Sequence, residues 1–482
     1  METKDRPETE YTEIEFNFPE EEKIVGYRRP EKNRKNRNKR KTMGLLSLCL
    51  CLLGFIFLLV LGIYGIVNLA GGSLSSSILS VAKVIIFACA ALGALALLIA
   101  IVALFLRNQK KGAAITAVVL SLLLLFLCGA AIYAYQYIFG AMQEDKTFQN
   151  LPDEDLNVVQ VKDDGEIQRQ TEPPESTVAP EEIEEKSQGK EIEWESLADE
   201  DLPEEVKEII YGSKQENPSY LLEGSEQIST FVLYGTDKKG SSDSIILLSV
   251  DRVHKKIKMI SIARDSYVTI PQWGSHAKIN YAYAWGGAQM AVSTLNYNFF
   301  LNVTDYITVN MDQLADIIDL VGGVEVDLNW SEVQSLSKYR GVQYGKCVLG
   351  GEAAVMYSRL RGDSEINRTG RQREVLTSLM TSVSKMPLTD YPEFIRTCLG
   401  MCTTSFNTEE LMDIALEVVQ NNYDIESYAL LDEVDYWGGI LGEERYFYCV
   451  YDLNRASDVI YRIIYEDLYV SGYPEEEETV EP

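Results

Sequence analysis

The sequence predicts an α/β or α+β sandwich with a central sheet, preceded by three membrane-spanning helices. Two observations carry this expectation. Three long apolar segments lie close together near the N-terminus, and beyond residue 228 β-branched runs alternate with helix-like segments. Alternation of that kind is how layers of sheet and helix are written into a chain.

The apolar segments run from Met43 to Leu69, Ile78 to Leu106 and Ala113 to Phe139. Each exceeds the roughly 20 residues that a helix needs to cross a bilayer. Lys32, Arg34, Lys35, Arg37, Lys39, Arg40 and Lys41 precede the first, and Arg107, Lys110 and Lys111 stand between the second and third. The connection between the first and second has no charge. Basic residues in short flanks stay on the cytoplasmic side. The expectation is therefore a multi-pass cell-membrane protein with residues 1–42 as a cytoplasmic tail, 43–139 as three spans, and all that follows outside the cell.

Residues 140–226 are rich in Asp, Glu, Pro and Gln, with few large apolar side chains. Such composition buries too little to offset its ordering entropy, so most of the stretch reads as an acidic spacer, with a short helix near 203–211. Residues 227–470 read as the folded domain, with its core at 231–383, and 471–482 as an acidic tail. Within the domain Phe231 to Tyr234, Ser244 to Val250 and Lys256 to Ile262 have the character of buried strands. Ala288 to Phe299 and Met311 to Val321 read as helices, the second stopped by Gly322-Gly323 ahead of a strand from Val324 to Leu328. Gly351 to Ser358 and Thr369 to Ser384 read as further helices, and Tyr446 to Tyr451 as a late strand that helps complete the domain.

A formal net charge of -29 opposes binding to nucleic acid, whose phosphates are held by excess Lys and Arg. With only His254 and His276, a histidine-rich zinc site or a Ser-His-Asp arrangement is not assembled. The chemistry must rest on carboxylates, arginines and a bound cation. Cys347, Cys398, Cys402 and Cys449 lie in the outer part, where disulfides are permitted, and their pairing is left open by the sequence.

Polar residues gather at the ends of the apolar runs. Gly235-Thr236-Asp237 ends the first strand and Ser242-Asp243-Ser244 opens the second. Two carboxylates flanking a short loop can converge on one hard cation such as Mg²⁺, although Asp at turns is common without one. The third strand leads into Ala263-Arg264-Asp265-Ser266, followed by Lys278-Ile279-Asn280. Later come Arg359-Leu360-Arg361-Gly362-Asp363 and Arg368-Thr369-Gly370-Arg371-Gln372. Arg359 and Arg361 share a side if extended, and Arg368 and Arg371 share a face if helical. Guanidinium forks grip phosphate oxygens bidentately, so a pyrophosphate site accounts for these arginines; a surface network with carboxylates is the alternative.

Taken in order, these segments, together with Ala282-Tyr283, Gly286-Gly287 and Val321-Gly322-Gly323-Val324, resemble the LytR-CpsA-Psr family of cell-envelope phosphotransferases over about 150 residues. The resemblance implies an α-β-α sandwich with a central mixed sheet, whose apolar pocket holds a polyprenyl tail with the pyrophosphate at its mouth. It implies transfer of a glycopolymer, such as teichoic acid or capsular polysaccharide, from a polyprenyl-pyrophosphate carrier to peptidoglycan. Asp237 and Asp243 would bind Mg²⁺ or Mn²⁺. Arg264, Lys278, Arg359, Arg361, Arg368, Arg371 and Gln372 would hold the pyrophosphate, and Arg264, Asp265, Arg359, Arg361 and Asp363 would serve catalysis, with Asp265 or Asp363 acting on the acceptor. Relatives commonly carry Arg where this chain has Ser241, and most have one span rather than three. A membrane-anchored scaffold that binds lipid-linked glycan, or a hydrolase of the same pyrophosphate, are the rival expectations.

Overall fold

The structure, a computed structural model, describes residues 43–70, 76–106, 111–139, 143–168, 202–212, 217–237, 240–360, 365–387, 390–421, 423–442 and 445–473. The basic flanks, most of the acidic stretch and the acidic tail lie outside the described residues, as do Arg361 and Asp363.

Three helices, α1 (Met43–Ala70), α2 (Ser76–Phe105) and α3 (Lys111–Phe139), are apolar all round. Within them, stretches of 19 to 23 residues are long and apolar enough to cross a membrane. The chain forms two compact units, one of Met1–Leu53 and Leu92–Leu123, the other of Gly54–Ala91 and Leu124–Pro482. In the first, Ser47 donates to the Ala96 carbonyl at 2.6 Å, and Cys51 Sγ lies 2.8 Å from Ser121 Oγ.

The second unit contains a seven-stranded mixed sheet. Its strands, in chain order, are β1 (Gln143–Glu144), β2 (Ile228–Thr236), β3 (Ser242–Asp251), β4 (Lys256–Ile262), β5 (Tyr306–Asn310), β6 (Thr403–Thr404) and β7 (Asp424–Ala429). Across the sheet the order is β1-β6-β5-β2-β3-β4-β7. The centre is an antiparallel meander, β2-β3-β4, flanked by β5 parallel to β2 and β7 parallel to β4. Both faces of the meander are covered, which is why its strands are apolar almost throughout. One face packs into the larger core with Val232, Tyr234, Leu247 and Ile260, and the other holds Phe231, Leu248, Met259 and Phe406.

The strands expected from the sequence are present at nearly the expected bounds. Helix α4 (Ile279–Phe299) begins nine residues earlier than its periodicity suggested and is interrupted at Gly287, whose φ of 63° is open to glycine at little cost. Helices α5 (Met311–Leu320), α6 (Gly351–Ser358) and α7 (Glu365–Ser384) follow. Where α6 crosses α5 the backbones nearly touch: a Cβ on Gly351 would stand 1.9 Å from the Ala315 carbonyl oxygen. Gly351 N–H also donates to Asp319 at 2.6 Å, which ties the start of α6 to the end of α5.

Part of the acidic stretch, most of which the sequence reads as spacer, belongs to the folded unit. Phe148, Leu156, Val159 and Ile167 are buried in the larger core, β1 extends the sheet, and Tyr306 donates to Asp145 at 2.7 Å. The apolar side chains are widely spaced among acidic ones, so average composition concealed them. The short helix expected near 203–211 is present at Glu204–Gly212. The four outer cysteines are free thiols. Cys398 and Cys402 lie one helical turn apart, and burial pushes their pKa values up to about 12 and about 11.

At the Asp251 end of β3, the fully buried Lys258 donates to Asp251 at 2.8 Å and to the Ile464 carbonyl at 2.9 Å, and lies 2.9 Å from Glu466. His254 Nδ1 is 2.7 Å from Asp251, and Lys256 pairs with Glu466 and Glu426. Asp251, His254 and Glu466 are close enough to share a cation. Lys258 already supplies that charge, so the cluster reads as a buried ion network. Hydrogen bonding to Asp251 raises the His254 pKa above its usual value. Burial pushes the Asp251 pKa up, but hydrogen bonds from Lys258 and His254 outweigh this and hold it below the usual carboxylate value. A raised histidine pKa contributes stability that is full below about pH 6.5 and is lost as pH climbs through the folded value. Thermal melting of the wild type and His254→Gln should therefore differ most near pH 5.5, with the gap closing toward pH 8.5.

Candidate functional site

The site lies at the opposite end of the sheet. Asp243 and Asp251 stand at the two ends of β3, about 26 Å apart at 3.3 Å per residue. Here the register of β2 and β3 shifts between Gly235 and Thr236, so Thr236 faces Ser242. The bulge places Asp237 and Asp243 at the two mouths of one hairpin. Asp237 closes the turn, its N–H donating to Ser241 O at 3.0 Å and its Oδ1 accepting from Ser241 N–H at 2.9 Å.

β4 ends next to this hairpin, since Ile245 pairs with Ile262. The loop that follows is pinned from two sides: Asn280 N–H donates to Arg264 O, and Cys449 N–H donates to Asp265 O at 2.9 Å. Arg264 Nη1 is thereby set against Asp243 Oδ1 in a short charge-assisted hydrogen bond. Its Nε reaches Asp265 at 3.4 Å, and Lys278 Nζ donates to the other Asp265 oxygen at 2.9 Å. Lys278 also lies 5.1 and 5.2 Å from the ring centres of Tyr446 and Tyr448, so its charge has both a carboxylate and aromatic faces.

Arg359 arrives from a separate hydrophobic core, in which Ile318 of α5 and Ala354 and Tyr357 of α6 pack with Val324, Val326 and Leu349. It caps the C-terminus of α6, and its Nη2 stands 3.8 Å from Asp243 Oδ2. Asp243 is therefore shared by two guanidinium groups that are 95 residues apart in the chain. The next carbonyl, Leu360 O, accepts from Arg371 Nη2 at 2.8 Å, and Arg371 Nη1 lies 3.4 Å from Glu332. Arg371 is only 6% exposed, whereas the Arg359 side chain is 42% exposed. The geometry makes Arg371 the support of the turn that carries Arg359. Tyr357, beneath Arg371, donates to Glu374 at 2.6 Å, and burial pushes its hydroxyl pKa up.

The sequence-predicted residues Asp243, Arg264, Asp265, Lys278 and Arg359 thus form one connected cluster, with Asp237 at the adjoining turn. Arg371 joins it through Leu360. Arg368 is buried on the same helix, and Gln372 is half-buried beside Arg371. Arg359 ends a helix rather than lying in the extended segment considered for it, and Arg361 lies outside the described residues. Sequence reasoning missed Glu332 and Tyr357. Glu332 completes a capping box with Asn329, a signal that explains the carboxylate locally and gives no hint of Arg371, 39 residues on.

The donor set suits a hard divalent ion. Asp237 and Asp243 offer carboxylate oxygens from adjacent strand ends, and among the described residues Asp243 Oδ2 is held by Arg359 at ion-pair distance.

The family model described as the LytR_cpsA_psr family matches residues 184–454, more than half of the chain, and the chain belongs to that family. Among curated relatives, the polyisoprenyl-teichoic acid–peptidoglycan teichoic acid transferase TagU of Enterococcus faecalis is 32% identical over 187 residues, which cover 38% of this chain and 61% of the relative. The protein of the same name from Bacillus licheniformis is 29% identical over 219 residues, covering 43% of this chain and 70% of the relative. The chain thus spans about two thirds of the length of these relatives. The crystal structure of Bacillus subtilis TagT is similar with a TM-score of 0.42 and 23% identity, covering 50% of this chain and 93% of that one.

The Asp265–Lys278 pair is almost wholly buried. Breaking a buried pair strands the partner's charge and costs roughly 3–5 kcal/mol. Urea unfolding of Asp265→Ala should show a loss of that order; a loss below about 1 kcal/mol would mean the pair behaves as a surface one.

Proposed function

We propose that this chain transfers a glycopolymer of the teichoic or capsular type from a polyprenyl-pyrophosphate carrier to peptidoglycan, outside the cell membrane. The observation that carries the reading is the convergence of Arg264 and Arg359 on Asp243 beside Asp237. In a chain of net charge -29, cations concentrated at one strand edge make a local anion site. Membership of the family and the activity for which its relatives are named support the substrate.

In this reading Arg264 and Arg359 grip the non-bridging oxygens of the diphosphate, with Arg361, Arg368 and Gln372 extending the cradle. Arg371 holds the Arg359 turn from behind, and Lys278 and Asp265 fix the orientation of Arg264. Asp237 and Asp243 would hold Mg²⁺ or Mn²⁺, which when bound neutralises phosphate oxygens. The reaction is an in-line displacement at the phosphorus attached to the sugar. A hydroxyl of peptidoglycan attacks, the bond to the carrier phosphate breaks, and polyprenyl phosphate leaves. Asp265 or Asp363 takes the hydroxyl proton. Positioning and charge compensation supply most of the catalysis in such phosphoryl transfers. The polyprenyl tail requires an apolar pocket, because exposed hydrocarbon costs roughly 25 cal/mol per Å².

The three apolar helices are read as membrane anchors, with the N-terminus in the cytoplasm and the domain outside. Transfer of labelled glycan from a prenyl pyrophosphate to peptidoglycan by the full-length protein tests the activity. Asp237→Ala should abolish it, and Arg264→Gln should lower kcat by about 10²–10³, the scale of losing one preorganised charge-stabilising donor. Transfer undiminished in both variants would refute the assignment. Protease added to intact cells should cut the C-terminal domain; protection there, with cleavage only after lysis, would reverse the orientation.

A further inference from the structure

A second site lies along α7. A cleft of about 420 Å³ is lined by one stripe of that helix, Arg373, Thr377, Thr381, Ser382 and Lys385, together with Ser427 on β7. Its volume falls in the usual range of ligand pockets, about 300–1,000 Å³. From Arg373 to Lys385 the helix rises roughly 18 Å, at 1.5 Å per residue. The long shape suits a chain molecule better than a compact one.

The base of the cleft holds an unsatisfied cation. Arg373 is 9% exposed; its Nε donates to Ser427 Oγ at 2.8 Å, while Nη1 is buried with no hydrogen-bond partner. Asp432 is the acidic group whose field reaches it, and among the described residues no salt bridge forms between them. Burial pulls the arginine pKa below its usual value, the expected response of a cation short of partners. Of the two carboxylates of the lining, Glu374 is engaged, while Glu325 is 62% exposed at the rim. Glu374 accepts from Tyr357 and from Asp327 N–H, and Glu325 lies 3.7 Å from Lys346. The remainder of the wall is hydroxyl, which can both donate and accept. One buried guanidinium with spare donors, an ammonium at the far end and hydroxyls between them match a polyol or sugar chain that carries anionic groups.

The position agrees. β7 is parallel to β4, and Ser427 pairs with Met259, five residues before Arg264, so the cleft lies within about 17 Å of that arginine along the strand at 3.3 Å per residue. Arg371 and Arg373 are two residues apart on α7, one turned to the Arg359 turn and the other to the cleft.

We propose that this cleft holds a phosphate-bearing polyol or sugar repeat of the donor glycopolymer, one or more units beyond the diphosphate, with Arg373 reading an anionic group. The inference rests on the donor reading given above. It would let the chain favour acidic polymers over neutral glycans of the same length.

Binding is measured by calorimetry on the full-length protein in nanodiscs, using a synthetic glycerol-phosphate hexamer, with chitohexaose and inorganic phosphate as comparison ligands. The hexamer should bind at least tenfold more tightly than either, and Arg373→Gln should weaken it about tenfold. Ser382→Trp, at a half-buried position that tolerates change better, should occlude the cleft and weaken it similarly, with melting curves confirming that each variant is folded. Wild-type protein that does not bind the hexamer, or a folded Ser382→Trp that binds it as wild type does, would overturn the inference, as would equal binding of chitohexaose or phosphate. Hexamer binding dependent on Arg373 in a protein that transfers nothing would keep the cleft and sink the transferase reading. Transfer without hexamer binding would do the reverse.

Discussion

One carboxylate shared by two guanidinium groups is the interaction on which the rest of the site depends. Arg264 comes from the end of β4 and Arg359 from the end of α6, in separate hydrophobic cores, and like charges brought together repel unless a counter-charge stands between them. Asp243 supplies it. The supporting contacts serve that meeting: Lys278 and Asp265 set Arg264, while Arg371 and Glu332 set the turn that carries Arg359. An incoming diphosphate would take over part of the role of Asp243 and find its donors already aimed.

The sheet makes this arrangement rigid by keeping its two ionic ends apart. At one end Lys258, Lys256 and His254 compensate Asp251 and Glu466 in a closed network with the cation built in. At the other, carboxylates and arginines meet in a partly exposed cluster at the mouths of a hairpin and the ends of two further elements. The apolar middle of β2, β3 and β4 separates them. Clusters of similar composition therefore differ in what they can do: the first is saturated by its own lysines, whereas the second retains an exposed arginine and a loosely held carboxylate oxygen.

Most of the meander was legible in the sequence, because strands covered on both faces must be continuously apolar and those runs were bounded by Gly, Asp and Lys. The strand Val324–Leu328 was legible from its alternation of apolar and acidic residues after Gly322-Gly323, and helix α6 from the glycines at its start. The start of α4 was not, since Asn280 to Trp285 lacks a clean helical period and Gly287 interrupts it. Residues 143–168 were hidden by their acidic neighbours. Within the site, the link between Arg264 and Asp243 could be anticipated from two strand ends in one meander. Arg359 meeting Asp243 and Glu332 meeting Arg371 depend on how one core docks against another, which local pattern does not encode. Family resemblance supplied the grouping that the residues alone left open.

The most direct test of the central claim is a structure of the full-length protein with a prenyl pyrophosphate and Mg²⁺ bound. The account predicts the diphosphate between Arg264 and Arg359, the ion in contact with Asp237 and Asp243, and Arg371 still bonded to Leu360 O. A diphosphate bound away from Arg264 and Arg359, or an ion held by Asp251 and Glu466 instead, would contradict it.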